Sequence, residues 1–125
     1  MKPSKTILII EDNPSNLKLV KDVLEYQKYN VLEALDGKAG LQAVENNRDK
    51  IDLILMDLQL PEISGLELIK ILKENPETKG IPIIVVSAHA MEADINKCYE
   101  AGCVDYITKP LNLQEFIKRI NLFFE

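Results

Sequence analysis

The sequence is short of positive charge: 15 lysines and arginines face 20 aspartates and glutamates, for a net charge of −5. That deficit argues against a uniformly basic nucleic-acid-binding surface. Long apolar runs are missing as well, since none approaches the roughly 20 residues that a membrane span needs. Met1-Lys2-Pro3-Ser4-Lys5 leads straight into a strand-like segment, the wrong shape for a signal peptide. Only two cysteines occur, Cys98 and Cys103, five positions apart. This is neither a metal-binding nor a redox spacing, and the pair reads as small hydrophobes in a reducing cytosol. The five glycines are scattered. No phosphate loop and no Gly-x-Gly-x-x-Gly occurs among them, which argues against a nucleotide-binding domain. No linker, repeat or low-complexity segment divides the chain. The expectation is a cytoplasmic protein that contacts neither membrane nor nucleic acid directly.

What is present suits one domain, residues 1–125, with one real core. At 46% hydrophobic and 28% charged, the composition is that of an ordinary globular protein. Apolar runs of strand length alternate with segments of helical periodicity. Thr6 to Ile10 is a β-branched strand that stops at Glu11-Asp12. Asn13-Pro14 starts a helix, with an N-cap residue and then proline at the first helical position. Leu17, Val20, Val23 and Leu24 carry that helix to about Tyr26 or Gln27. Tyr29 to Ala34 is a shorter strand interrupted by Glu33, as suits a sheet edge. Asp36-Gly37 turns into a helix from Lys38 to Asn46, on Leu41 and Val44. Leu53 to Met56 is a continuous apolar run that ends abruptly at Asp57. A proline turn follows, then a helix from about Gly65 to Glu74 with Leu66, Ile69 and Leu72 on one face. Ile81 to Val86 is another apolar strand, ending at Ser87. Met91 to Ala101 is a weakly amphipathic helix closed by Gly102. Cys103 to Thr108 is a fifth strand ending at Lys109-Pro110, and Asn112 opens a last helix. Strand–helix alternation five times over predicts a parallel sheet covered on both faces, with right-handed crossovers. The fold class is α/β: five strands, doubly wound, with five helices, and the order 2-1-3-4-5 is the natural choice.

Four strands thus end in a reactive or polar residue: Glu11-Asp12, Asp57, Ser87 and Lys109. Parallel strands bring these ends to one rim, where ligands bind in open α/β sheets. With the first and third strands adjacent, Asp12 and Asp57 converge, and Ser87 and Lys109 lie alongside. Each residue alone could be an incidental strand end or helix cap; all four together favour a site. Three clustered carboxylates, Glu11, Asp12 and Asp57, repel one another by about 1–4 kcal/mol per pair at about 4 Å. Lys109 offsets that repulsion, and so does a divalent cation. Oxygen-only ligands favour Mg²⁺ or a similar hard ion. Carboxylate, metal, lysine and hydroxyl are together the parts needed to receive a phosphoryl group.

These residues sit in recognisable phrases: Ile9-Ile10-Glu11-Asp12-Asn13, Leu55-Met56-Asp57-Leu58-Gln59-Leu60-Pro61, Gly65, Val86-Ser87-Ala88 and Tyr106-Ile107-Thr108-Lys109-Pro110. Over essentially its whole length the chain resembles a response-regulator receiver domain of two-component, or phosphorelay, signalling. The Glu-Asp-Asn start looks like single-domain chemotaxis and cell-cycle regulators, and like receivers attached to hybrid kinases. The resemblance implies a flavodoxin-like fold; a chemotaxis relative is a standing example of the 2-1-3-4-5 order. It implies that Asp57 is the phosphoacceptor. Asp12 would ligate Mg²⁺ directly and Glu11 through water, with Asp57 and the backbone carbonyl of Gln59 completing the protein's share. Ser87 would be the switch hydroxyl that bonds the phosphoryl group. Lys109 would pair with Asp57 and then with the phosphate, and Lys109-Pro110 would be a cis peptide. Tyr106 would be an aromatic switch, solvent-facing when inactive and turned inward when active; the alternative is a half-buried strand tyrosine. Ala88 is small, as access to the phosphate requires. Gln59, Ala88 and His89 would form the pocket rim, where related receivers adjust phosphoryl lifetime; His89 is otherwise a plain loop residue.

The expected function is therefore a phosphorylation-dependent switch. A sensor histidine kinase or histidine phosphotransfer domain would supply the phosphoryl group, with Mg²⁺ as cofactor. The domain would be no enzyme beyond self-catalysed transfer and slow autodephosphorylation. Its output would be a changed binding face for a downstream protein, built from the helix, strand and helix of residues 91–124. With Glu125 ending the chain at the last helix, that output is expected through protein contact. The alternative is an aspartate-nucleophile phosphatase or phosphotransferase of haloacid-dehalogenase type. Such enzymes place a second acid two residues after the nucleophile, where this chain has the neutral Gln59. A pseudo-receiver that only binds partners is weakened because every acceptor part is present.

Overall fold

The computed structural model describes residues 4–125; Met1, Lys2 and Pro3, on which the signal-peptide reading partly rests, lie outside it. Five strands alternate with five helices: β1 (Thr6–Ile10), α1 (Pro14–Tyr26), β2 (Asn30–Ala34), α2 (Gly37–Asn47), β3 (Leu53–Met56), α3 (Gly65–Glu74), β4 (Ile83–Ser87), α4 (Glu92–Ala101), β5 (Asp105–Thr108) and α5 (Leu113–Phe123). Every strand pairing is parallel and the order is β2-β1-β3-β4-β5. The doubly wound arrangement expected from the sequence is the one found, with Glu33 on the edge strand.

Apolar runs build this sheet because helices cover both its faces. Successive side chains of a strand point to opposite faces, so each run is divided between two cores. Leu8, Ile10, Ile54, Met56, Ile83, Val85 and Tyr106 pack on one face with residues of α2, α3 and α4. Ile7, Ile9, Leu53, Leu55, Ile84, Val86 and Ile107 pack on the other with α1 and α5. This alternation decides which strand-end residues can meet.

Side-chain caps start four of the helices. Asn13, Asp36, Ser64 and Asn112 each accept a backbone N–H of the following turn. Met91, at the start of α4, offers no such bond, and Cys98 is that helix's one buried residue. Of the five helices α4 is thus the least anchored. It ends at Gly102, whose φ of 122° suits glycine alone and whose N–H donates to the carbonyls of Cys98 and Tyr99.

Element boundaries shift slightly from expectation. β4 begins at Ile83 rather than Ile81, because the Ile81 N–H turns back to the Thr78 carbonyl (3.0 Å) and proline has no N–H to give. β5 begins at Asp105 because Cys103 donates to the Cys98 carbonyl and belongs to the helix end. In α3 the fully buried residues include Leu68, outside the expected face, whereas Leu66 is half-buried. A helix packed on a sheet buries a stripe wider than one i, i+3 row. Among the described residues, no helix is long and apolar enough to cross a membrane.

Candidate functional site

Glu11, Asp57 and Lys109 each follow the last residue of a strand, β1, β3 and β5. The ladder runs one step further at each: Glu11 N–H donates to the Ala34 carbonyl (3.0 Å), Asp57 to Ile10 (3.1 Å) and Lys109 to Ser87 (2.8 Å). All three therefore keep the strand alternation and fall in phase with Ile9, Leu55 and Ile107, on the face covered by α1 and α5.

There they meet. Lys109 Nζ donates to Glu11 Oε1 at 2.7 Å and to Asp57 Oδ2 at 2.9 Å. The other oxygen of each carboxylate is held by backbone: Asn13 N–H to Glu11 Oε2 (3.2 Å) and Gln59 N–H to Asp57 Oδ1 (3.0 Å). Glu11 and Asp57 are buried and Asp12 is exposed beside them. One carboxylate oxygen from each of the three lies within 4.8 Å of the others. An all-oxygen donor set with one ligand exposed to water fits a hard divalent cation that keeps part of its hydration shell. Gly65 makes the close packing possible. A Cβ there would stand 2.7 Å from the Leu58 Cα and closer still to the Asp57 carbonyl oxygen, so any side chain would displace the backbone that carries Asp57.

Burial pushes the Glu11 carboxyl above its ordinary pKa, outweighing the bonds from Lys109 and Asn13, while the charge of Asp57 adds to the rise. Burial works against the charge of Lys109, but its bonds to Glu11 and Asp57 prevail and its pKa is raised. The signs differ in consequence. A raised carboxyl costs the fold stability as pH climbs through the range above its ordinary value; a raised lysine contributes stability that is lost only as pH rises past its own. Glu11→Gln is therefore expected to melt at a higher temperature than wild type at pH 7 without metal. The gap should narrow as pH falls through and below the ordinary carboxylate range, where the carboxyl becomes protonated in the unfolded chain as well. A Glu11→Gln variant that is less stable at pH 7 would contradict this balance.

Ser87 and Tyr106 are out of phase with that trio. Ser87 is in step with Ile83 and Val85 and is fully buried on the α4 side of the sheet, where its Oγ accepts the His89 N–H at 3.1 Å. Tyr106 is buried on the same face, and its hydroxyl donates to the His89 carbonyl at 2.8 Å. Burial raises the Tyr106 pKa. The tyrosine thus occupies the inward of the two positions that the resemblance implies. Ala88 and His89 are exposed; the His89 imidazole lies 3.9 Å from the Asp94 carboxylate. Gln59 and His89 line one groove with Ser64, Asp94 and Lys97. The Lys109-Pro110 bond is cis. So the structure brings Glu11, Asp12, Asp57 and Lys109 together and sets Ser87, Tyr106 and His89 in a second cluster across the sheet.

Sequence reasoning passed over the Asn13 N–H that holds Glu11, although Asn13 was read as a cap. It also passed over the side chains that continue the site along α1 and after β5, namely Asn16, Leu19 and Leu111; nothing in their local pattern sets them apart.

Comparison with known proteins agrees with the geometry. A model of the response regulator receiver domain matches residues 7–121. The polar-differentiation response regulator DivK of Brucella ovis is 42% identical over 121 residues, 96% of each chain. The Mn²⁺-bound form of response regulator Rcp1 superposes with a TM-score of 0.79 at 30% identity, over 95% of this chain and 91% of that one. A chain of the CheX–CheY–BeF3–Mg²⁺ complex of Borrelia burgdorferi shares the fold, with a TM-score of 0.90 at 23% identity over 97% and 90% of the two chains.

Proposed function

Because the chain belongs to the family of response regulator receiver domains, we propose that Asp57 is its phosphoacceptor and that residues 1–125 form one receiver unit. A receiver domain is a phosphorylation-dependent signalling switch that works with histidine kinases and downstream targets, and it binds a divalent metal at an acidic pocket. The observation that carries the assignment is the lysine bridge: one cation joins the buried Glu11 and Asp57 carboxylates, with Asp12 beside them. Mg²⁺, held by Asp12, Asp57 and the Gln59 carbonyl and by Glu11 through water, would neutralise phosphoryl oxygens. Asp57 Oδ attacks phosphorus as the bond from phosphorus to the donor's histidine nitrogen breaks and that nitrogen keeps the electron pair. Lys109 takes up charge on the transferred oxygens, and the backbone N–H of Gln59 keeps the carboxylate aimed. Self-catalysed transfer followed by slow loss of the phosphoryl group is the whole of the chemistry. Gln59 supplies no acid for rapid turnover, so the haloacid-dehalogenase reading lacks support.

Ser87 must leave the His89 N–H to reach a phosphoryl group on the other face, and that motion couples the two clusters. Because His89 also accepts the Tyr106 hydroxyl, the 88–91 loop, Tyr106 and the weakly anchored α4 would move together. The readout face is then α4, β5 and α5, within residues 91–124, presented to a protein target in the cytoplasm.

Mg²⁺ that binds only the folded state raises its stability by mass action, about 2.7 kcal/mol at 100 times the dissociation constant. Thermal melts are expected to shift upward in millimolar Mg²⁺ for wild type and to lose most of that shift in Asp12→Ala. A wild-type midpoint unmoved by Mg²⁺ would count against the metal assignment.

A further inference from the structure

Beside the acceptor a cavity of about 260 Å³ opens between α1 and the turn after β5. At one side it is lined by Glu11, Asp57 and Lys109, and its body is apolar: Leu19, Val20, Leu55, Val86, Pro110 and Leu111. Nothing in the acceptor chemistry requires this body, because carboxylate, metal and lysine act on phosphoryl oxygens alone. Leu19 is 45% exposed at its rim. The strand alternation explains the continuity: Asp57 and Lys109 point to the same face as Leu55 and Val86, so whatever delivers a phosphoryl group to Asp57 along this face passes over an apolar wall.

We infer that this cavity takes the non-phosphate part of a small-molecule phosphodonor, and that the preferred donors are acyl phosphates with an apolar acyl group. The inference rests on Asp57 as acceptor. In the step proposed, an Asp57 carboxylate oxygen forms the new bond to phosphorus, the bond from phosphorus to the acyl oxygen breaks, and the carboxylate of the donor leaves with its electron pair. No oxidant, reductant or further reactant is needed. An aryl ring in the cavity buries apolar surface that a methyl group cannot, which corresponds to a preference of roughly tenfold or more.

The test compares benzoyl phosphate with acetyl phosphate, whose leaving carboxylates are of similar acidity, in saturating Mg²⁺. The second-order labelling constant should favour benzoyl phosphate at least about tenfold. Leu19→Ser and Leu111→Ser should shrink that ratio, which is internal to each variant and so independent of its stability. Binding is read separately, with phenacylphosphonate and acetonylphosphonate, in which a methylene replaces the bridging oxygen. The former should bind more tightly and shift the methyl resonances of Leu19, Val20 and Leu111. Equal labelling constants, or a preference that survives both substitutions, would leave the cavity to the side chains of a protein donor and overturn the inference. Failure of both donors to label Asp57 would instead overturn the acceptor reading.

Discussion

Asparagine at position 57 is expected to abolish phosphoryl acceptance. An amide is not a useful nucleophile, and the other carboxylate that is held by a backbone N–H and bridged by Lys109, Glu11, has its pKa raised by burial. Incubated with acetyl phosphate and Mg²⁺, wild type should gain the mass of one phosphoryl group and Asp57→Asn none. The same substitution removes one charge from the carboxylate cluster. Each like-charged pair costs about 1–4 kcal/mol at about 4 Å, so the metal-free variant should melt higher than wild type and gain less from Mg²⁺. Retained labelling in the variant would remove Asp57 from its role.

Lys109→Met should produce the next largest effect, and in two opposite directions. Lys109 is the cation in contact with Glu11 and Asp57. Without it, repulsion among the three carboxylates is unrelieved, and the metal-free protein should lose stability. A divalent ion then meets a more negative site with no competing cation. Its affinity should rise about tenfold, equivalent to about 1.4 kcal/mol of Coulomb energy. Phosphoryl acceptance should nevertheless fall by at least about 100-fold, the usual cost of removing one preorganised donor from a site where charge develops. Calorimetric titration with Mg²⁺ and labelling rates separate these effects. A variant that binds Mg²⁺ more weakly and labels at the wild-type rate would contradict the arrangement on both counts.

The fold was legible because its signals are local and repeated. The apolar runs of β1, β3 and β4, each cut off by a polar residue, announced buried parallel strands, and Asn13-Pro14 and Gly102 marked helix ends. Glu11, Asp12, Asp57 and Lys109 were legible for the same reason: strand-end position is a matter of counting. Phase was harder to see. Sequence reasoning set Ser87 alongside Lys109, and in register they are neighbours, yet a difference of one step puts the serine hydroxyl on the opposite face. The place of His89 depended on the path of a loop, and that path is set by the hydrogen bonds of Ser87 and Tyr106, which no local pattern encodes. Gly65 stood in the sequence at the start of a helix, while the reason it is glycine lies in the Asp57 backbone eight positions earlier.

The central claim is that the phosphoryl group resides on Asp57. Borohydride reduction of the phosphorylated protein converts an acyl phosphate to an alcohol, turning a phosphoaspartate into homoserine. Peptide mass spectrometry then reports the position directly, with no substitution in the chain. Homoserine at position 57 alone, dependent on phosphodonor and Mg²⁺, is the result expected. Reduction product at Glu11 or Asp12 with Asp57 unchanged, or a stable phosphate found on His89, would contradict it.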